Sequence, residues 1–245
     1  MHPSPKVDKS AAKENDKSEN FNSLLPNLRS RSSKLSCLNR SDGSVAYAQG
    51  DTVVWACVYG PGDLKVSRQS LSGAVLDVIF KPCVAENELI TLRYHGLISE
   101  ALHGALTIKQ FPRSLVTFVI QEFHNDGCLL SCAINAVCIA ALDAGLPMRH
   151  NFAAVTVCLD ENNEILLDTK LEDELSARCQ MTFVFESQTF GLLCSESIGT
   201  VCPNLFNRCV ETAREASKAI FSYYRQMIER KYLPSQTFRA NEDET

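Results

Sequence analysis

The sequence predicts an α+β fold, one domain in which mixed sheets pack with helices. Three features of the pattern carry this expectation. Short stretches alternating apolar and polar residues, rich in Val, Ile and Thr, recur along the chain and read as strands. The stretch Cys128 to Leu142 is apolar on nearly every face and reads as a buried helix. A closing stretch carries one apolar stripe at helical spacing, as expected of a helix laid on a core.

In chain order, Ser44 to Ala48 and Thr52 to Tyr59 form a hairpin about the turn Gln49-Gly50-Asp51, and Gly60-Pro61-Gly62 stops its second strand. Gly73 to Phe80 is a third strand. Glu86 to Leu106 is a helix, with Leu89, Leu92, Leu97, Leu102 and Leu106 at roughly helical spacing. Leu115 to Phe123 is a β-branched strand leading through Asp126-Gly127 into the buried helix, which Gly145 and Pro147 end. Phe152 to Leu159, Glu164 to Leu167 and Met181 to Glu186 are strands, and Thr189 to Cys194 pairs with the last. Pro203 suits the first turn of the final helix, whose stripe is Leu205, Cys209, Ala213, Ala216, Ile220, Tyr223 and Met227.

The folded domain is expected over residues 35–233. Residues 1–34 are rich in Ser, Asn, Lys and Glu and poor in apolar side chains, so they are expected to be a disordered basic and polar tail. Residues 234–245 are expected to be a disordered C-terminal tail. No internal repeat is visible.

Charge is unevenly placed. Residues 1–40 hold eight Lys or Arg and four Asp or Glu, a local +4, while the whole chain is −5, leaving −9 on residues 41–245. An acidic body is a poor free-standing nucleic-acid binder, because cations on phosphates supply most of that affinity. Arg29, Arg31, Lys34 and Arg40 are the basic residues beside the domain, suiting either a solvated arm or one that touches RNA or aids nuclear import. The apolar stretch at Cys128 is too short for a bilayer and is broken by Ser131 and Asn135, and the N-terminus lacks a signal-peptide core. Neither membrane association nor secretion is expected. The eleven cysteines include no Cys-x-x-Cys pair, and most lie in apolar runs, so reduced core thiols are expected and no metal site.

Gly43-Ser44, Gly50-Asp51-Thr52-Val53-Val54 and Val58-Tyr59-Gly60-Pro61 resemble the opening hairpin of the RNase PH family. Asp126 to Ala136 and Leu142-Asp143-Ala144-Gly145-Leu146-Pro147-Met148 are similar to a narrower set, the RNase PH-like ring subunits of the eukaryotic RNA exosome. Leu166-Leu167-Asp168, Glu172-Asp173 and Phe221 to Arg225 fit the same alignment, which covers residues 37–233. The resemblance implies a single RNase PH-like domain of the ribosomal S5 domain 2-like type. It also implies a hetero-oligomeric ring with other RNase PH-like subunits, one of the component 8 type as a neighbour. S1/KH cap subunits, RNA in a central channel and a separate hydrolytic nuclease complete the implied set of partners, with residence in nucleus, nucleolus and cytoplasm.

Active members of the family cleave RNA from its 3′ end with inorganic phosphate, which requires donors to hold the anion and an acid for proton or metal work. Their Gly-Gly-Thr-Arg-like loop grips phosphate at the mouth of the buried helix. Here Leu129 and Leu130 stand where Thr and Arg are expected. Ser131 keeps a hydroxyl nearby, which suits a helix first turn as well. The Asp that precedes a Met in active members is Gln180 before Met181 here. Asp168 and Asp173 are the residual acids. A lost charge-assisted bond to phosphate is worth roughly 1.5–3 kcal/mol and a lost general acid about 10²–10⁴ in rate. The expectation is therefore a non-catalytic RNase PH-like subunit with no cofactor, supporting 3′-to-5′ RNA processing and degradation by scaffolding and channel formation. The alternative is residual phosphorolytic or altered nuclease activity through Asp168 and Asp173. Basic residues of active relatives near Arg93 and Arg113 face substrate, making these two the RNA-contact candidates. His95, His103 and His124 belong to no nucleophile motif, and Gly60-Pro61-Gly62-Asp63 lacks the Lys-Ser/Thr of a phosphate loop.

Overall fold

The computed structural model describes residues 28–63, 65, 70–84 and 88–240, with side chains not described at 88 and 233–240. Strands β1 (Arg31–Leu35), β2 (Gly43–Gln49), β3 (Thr52–Asp63) and β4 (Val75–Lys81) precede helix α1 (Glu88–Ala105). After a 3₁₀ turn at Ile108–Gln110 come β5 (Ser114–His124), α2 (Leu129–Asp143), β6 (Phe152–Leu159) and β7 (Ile165–Leu167). The chain closes with α3 (Leu171–Ser176), β8 (Cys179–Glu186), β9 (Leu192–Gly199) and α4 (Pro203–Ala240). A five-stranded sheet has the order β1-β2-β3-β5-β4, and a four-stranded sheet the order β7-β6-β8-β9. All neighbours are antiparallel except β4 and β5. The predicted single α+β domain with mixed sheets is the observed one.

Helix α2 is the centre of the molecule. Its residues Leu129 to Ala141 are all buried, because it packs against β2 and β3 of one sheet and β6 of the other. A helix that is apolar all round can fold only in such a place. Its one buried amide does structural work. β7 pairs with β6 only at Val157–Leu159, so the strand edge at Ala154 is open there. Asn135 closes it, donating to the Ala154 carbonyl at 3.0 Å and accepting the Ala154 N–H at 2.8 Å. Tyr224 of α4 donates to the same Asn135 oxygen at 2.9 Å, which ties α2, β6 and α4 together through one buried amide.

Several boundaries differ from the sequence reading. The fold begins before residue 35: Leu28 is buried and β1 pairs along β2 from Arg31↔Gln49 to Leu35↔Val45. That segment was read as part of a polar tail; it is a polar edge strand, which hydrogen bonding to β2 orders without much apolar burial. Residues 1–27 lie outside the described residues. At the other end α4 runs past Pro234 to Ala240; proline removes one ladder bond, and a helix already propagating gains one per residue. Residues 241–245 lie outside the described residues. Strand β3 continues through Gly60-Pro61-Gly62, where a register shift between Tyr59 and Gly62 absorbs the proline.

Two faces were also read differently. On α1 the buried residues are Leu97, Ile98, Ala101, Leu102 and Ala105, while Leu89 and Leu92 are 63% and 64% exposed. On α4 the stripe is as expected from Cys209 to Met227 except that Tyr224 replaces Tyr223 in the core, and at its start Phe206 packs against the core where Leu205 was expected. Tyr223 instead donates to Ser33 of β1 at 2.6 Å, a strand absent from the sequence reading. All eleven cysteines are free thiols, and burial pushes Cys138 up to about 12.

Candidate functional site

The site implied by the sequence lies where β5 hands over to α2. Asn125-Asp126-Gly127-Cys128 forms a tight loop, with Gly127 and Cys128 both at positive φ. Gly127 is required: an added Cβ would lie within 2.7 Å of the Thr169, Lys170 and Leu171 backbone. The loop is fastened by Thr52, whose hydroxyl donates to Gly127 O at 2.7 Å and accepts from Asp126 N at 3.0 Å.

At the helix mouth Leu129 and Leu130 are buried at 6% exposure each and belong to the core. Their side chains offer no donor to an anion. Ser131 is fully buried, and its hydroxyl donates to Cys128 O at 2.9 Å, a first-turn bond within the helix. The anion at this helix start is the protein's own. Glu174 of α3 accepts the Cys128 N–H at 2.6 Å, and Gln180 Nε2 donates to the same Oε1 at 2.9 Å. The helix N-terminus and its free N–H favour a negative group, and Glu174 supplies it. Burial raises the Glu174 pKa above the usual carboxylate range, while its bond with Cys128 and the Arg29 charge pull it back. Gln180 thus holds the glutamate in place and carries no proton of its own to give.

Asp168 and Asp173 are separated in role. Asp168 is 5% exposed and at positive φ, and its carboxylate is saturated with donors. Oδ1 accepts from Arg29 Nε at 2.8 Å and Gln49 Nε2 at 2.7 Å, with Arg29 Nη2 2.8 Å away, and Oδ2 accepts the Arg29 backbone N–H at 2.9 Å. The Arg29 guanidinium also donates to Asp126 O at 2.9 Å and Gly127 O at 3.2 Å. Burial works against the Arg29 charge, yet Asp168 and its neighbours leave its pKa above the ordinary value. Asp173 is exposed on α3. Arg93 is hydrogen-bonded to Glu196 of β9, and Arg113 is exposed at the start of β5, so neither belongs to the helix mouth. His103 bonds Ser99 O one turn back at 2.8 Å, His124 bonds Asp51 O at 2.8 Å, and His95 is exposed. No cluster of three or more His, Cys, Asp or Glu able to hold a metal forms among the described residues.

Sequence reasoning missed Arg29, Gln49 and Glu174 as members of this site. Arg29 fell in the segment read as a tail. Glu174 carried one signal, its place beside Asp173 in an acidic run before Gln180.

Comparison with known proteins agrees with the fold. Residues 27–147 match the 3′ exoribonuclease family, domain 1. The crystal structure of rice (Oryza sativa) Rrp46 superposes with a TM-score of 0.76 at 30% identity, over 82% of this chain and 95% of that one. The chain belongs to this family, the RNase PH family. Within it, the chain is similar to the Arabidopsis thaliana protein named exosome complex exonuclease RRP46 homolog, at 29% identity over 81% of this chain and 90% of the relative. The likeness read from the sequence, to exosome component 5 in particular, is to the same group. An Archaeoglobus fulgidus exosome with RNA bound to the active site shares the fold, with a TM-score of 0.70 at 15% identity over 80% of this chain and 89% of that one.

The half-buried Glu174 has a pH consequence. Its raised pKa means the folded state holds this proton more tightly than the unfolded chain, so its contribution to stability is full in acid and is lost as pH rises through the folded pKa. Glu174→Gln keeps an oxygen for the Cys128 N–H and removes the buried charge. The variant is expected to melt higher than the parent at pH 7, and the gap should close as pH falls towards 4. Thermal melts across that range check this; a gap constant with pH counts against a buried charge here.

Proposed function

We propose that this chain is a non-catalytic RNase PH-like ring subunit of an RNA exosome, supporting 3′-to-5′ RNA processing and degradation by scaffolding and by lining an RNA channel. One observation carries the reading: the helix mouth where active relatives hold phosphate is closed by the chain's own Glu174, fixed by Gln180, beside the buried Leu129 and Leu130. Inorganic phosphate there would meet a carboxylate instead of an arginine, and like charges in a partly buried site repel. Support for the assembly comes from relatives named as exosome proteins that match over most of both chains. On this reading its partners are other RNase PH-like subunits, including one of the component 8 type, with S1/KH cap subunits, RNA and a separate hydrolytic nuclease, in nucleus, nucleolus and cytoplasm.

Affinity purification of the tagged chain from its own cells is the test. It is expected to recover other RNase PH-like subunits and S1/KH proteins near stoichiometry; recovery as a free monomer overturns the reading. For catalysis, the purified chain is expected to release no nucleoside diphosphate from single-stranded RNA with phosphate present. The competing reading, residual nuclease activity through Asp168 and Asp173, draws on the exposed Asp173 and on the word exonuclease in the name of the Arabidopsis relative. Phosphate-dependent release that disappears in Asp168→Asn or Asp173→Ala would establish it.

A further inference from the structure

We propose that the end of the domain where the parallel strands β4 and β5 begin is a docking site for a short acidic peptide of a partner protein, whose one aliphatic side chain enters an apolar pocket there. Three segments meet at this end. The loop 70–74 lies on the 3₁₀ turn: the Ala74 N–H donates to Ile108 O at 3.0 Å, and a Cβ added to Gly73 would come within 3.0 Å of the same carbonyl. The Arg113 N–H donates to Ser70 O at 3.0 Å. The turn after α2 joins them. Thr107 N–H donates to Pro147 O at 2.9 Å and Arg149 N–H to Ala105 O at 2.8 Å, and Leu106 bridges to Met148.

Between these segments lies a pocket of about 240 Å³, partly open to solvent, walled by Leu76, Leu106, Ile108, Phe111 and Leu146 among others. Thr107 is the one wall residue with a polar side chain. Leu71, on the loop 70–74, is 77% exposed and adds apolar surface at this end. Exposed apolar surface of this kind marks a place where another molecule binds.

The charge around the pocket selects the occupant. Residues 70–76, 106–114 and 144–150 contain no Asp or Glu, although residues 41–245 as a whole carry −9. They contain Lys109, Arg113 and Arg149, all exposed, and none of these three forms an ion pair among the described residues. Of the adjoining acids, Asp63 stands opposite Ser114 on the β3 side of β5, whereas the pocket lies on the β4 side, and Glu186 is engaged with His150 at 3.6 Å. A basic rim about an apolar pocket suits a peptide that brings carboxylates to the cations and a Leu, Ile or Met to the pocket. RNA suits it less. The wall has little to bond a base edge, its aromatic Phe111 is half-buried and gives no open stacking platform, and the cations stand about a pocket rather than along a groove.

The experiment selects short random peptides displayed on phage against the immobilised full chain. It is expected to enrich peptides with Leu, Ile or Met flanked by Asp or Glu. An enriched peptide, labelled with fluorescein, is then titrated with the parent and two variants and read by anisotropy. Arg113→Glu/Arg149→Glu is expected to weaken binding at least tenfold, as is replacement of the peptide's aliphatic residue by Ser. Arg208→Glu/Arg230→Glu makes the same change of charge at exposed positions of α4 and is expected to bind as the parent does. All four substituted residues are exposed, so both variants are expected to melt with the parent. No enrichment, or enrichment of peptides without acidic residues, overturns the proposal. So does parent-like binding by Arg113→Glu/Arg149→Glu, an equal loss in the α4 control, or indifference to the Ser replacement. Oligouridine that displaces the peptide from the parent and fails to bind Arg113→Glu/Arg149→Glu would assign this end to RNA and overturn it as well.

Discussion

Ile220→Asp is expected to destabilise the domain by about 3 kcal/mol or more, and to unfold much of the chain at 37 °C. Ile220 is 2% exposed in the α4 stripe, one turn before Tyr224, whose hydroxyl completes the Asn135 network. An aspartate there loses the apolar burial and places a charge among the buried residues of the α4 stripe. Lys218, two positions earlier, is the comparison. Its ammonium pairs with Glu215 at 2.7 Å on the solvent side, where both side chains are about half exposed. Lys218→Asp is expected to cost no more than about 0.5 kcal/mol, since exposed pairs contribute little. Urea unfolding of both variants checks the assignment; equal midpoint shifts would mean the helix buries a different face.

The sequence was most legible where one physical signal dominated. Helix α2 could be read from its uninterrupted apolar character, because only a helix between two layers can bury every face. The stripe of α4 could be read because its spacing repeats over five turns or so. Strand β1 could not be read: Ser32, Ser33 and Lys34 carry no alternation, and only the ladder to β2 makes it a strand. Helix α3 is six residues of mostly acidic character, too short to show a period. At the site, the degenerate positions Leu129, Leu130 and Gln180 stood out against the family pattern, but what replaces the lost ligand did not. The Glu174–Cys128 bond spans 46 positions and the Arg29–Asp168 bond 139, and no local pattern records contacts of that range.

These two long-range bonds bear on how the family fold would persist in a chain that, on the proposed reading, does no phosphate chemistry. The helix mouth retains its N–H and its glycine loop, and a helix start left without an anion or acceptor would be destabilised. Glu174 fills that need from within. Its hold on Cys128 and on Gln180 links α3, α2 and β8, so a feature that serves substrate in active relatives serves packing in this chain on the proposed reading.

On the same proposed reading Asp168 is a structural clamp, and its removal carries the larger expected effect. Asp168→Ala is expected to cost about 3–5 kcal/mol, the loss that follows when one partner of a buried ion pair is removed and the other stays. The Asp168 side chain is 2% exposed and that of Arg29 13%, so the guanidinium would be left facing only the carbonyls of Asp126 and Gly127 and the weaker 3.9 Å contact with Asp126. The Gln49 amide would lose its acceptor too. Asp168→Asn keeps the shape but turns one acceptor into a donor towards Arg29 or Gln49, so it is expected to recover only part of the loss. Asp173→Ala, on the exposed side of α3, is expected to stay within about 0.5 kcal/mol of the parent. Denaturant melts of the three variants separate a clamp from a catalytic acid: a large loss for Asp168→Ala with Asp173→Ala silent marks the clamp. If Asp168→Ala instead melts with the parent, its carboxylate is not needed to hold Arg29, and the case for Asp168 as an acid in RNA cleavage reopens.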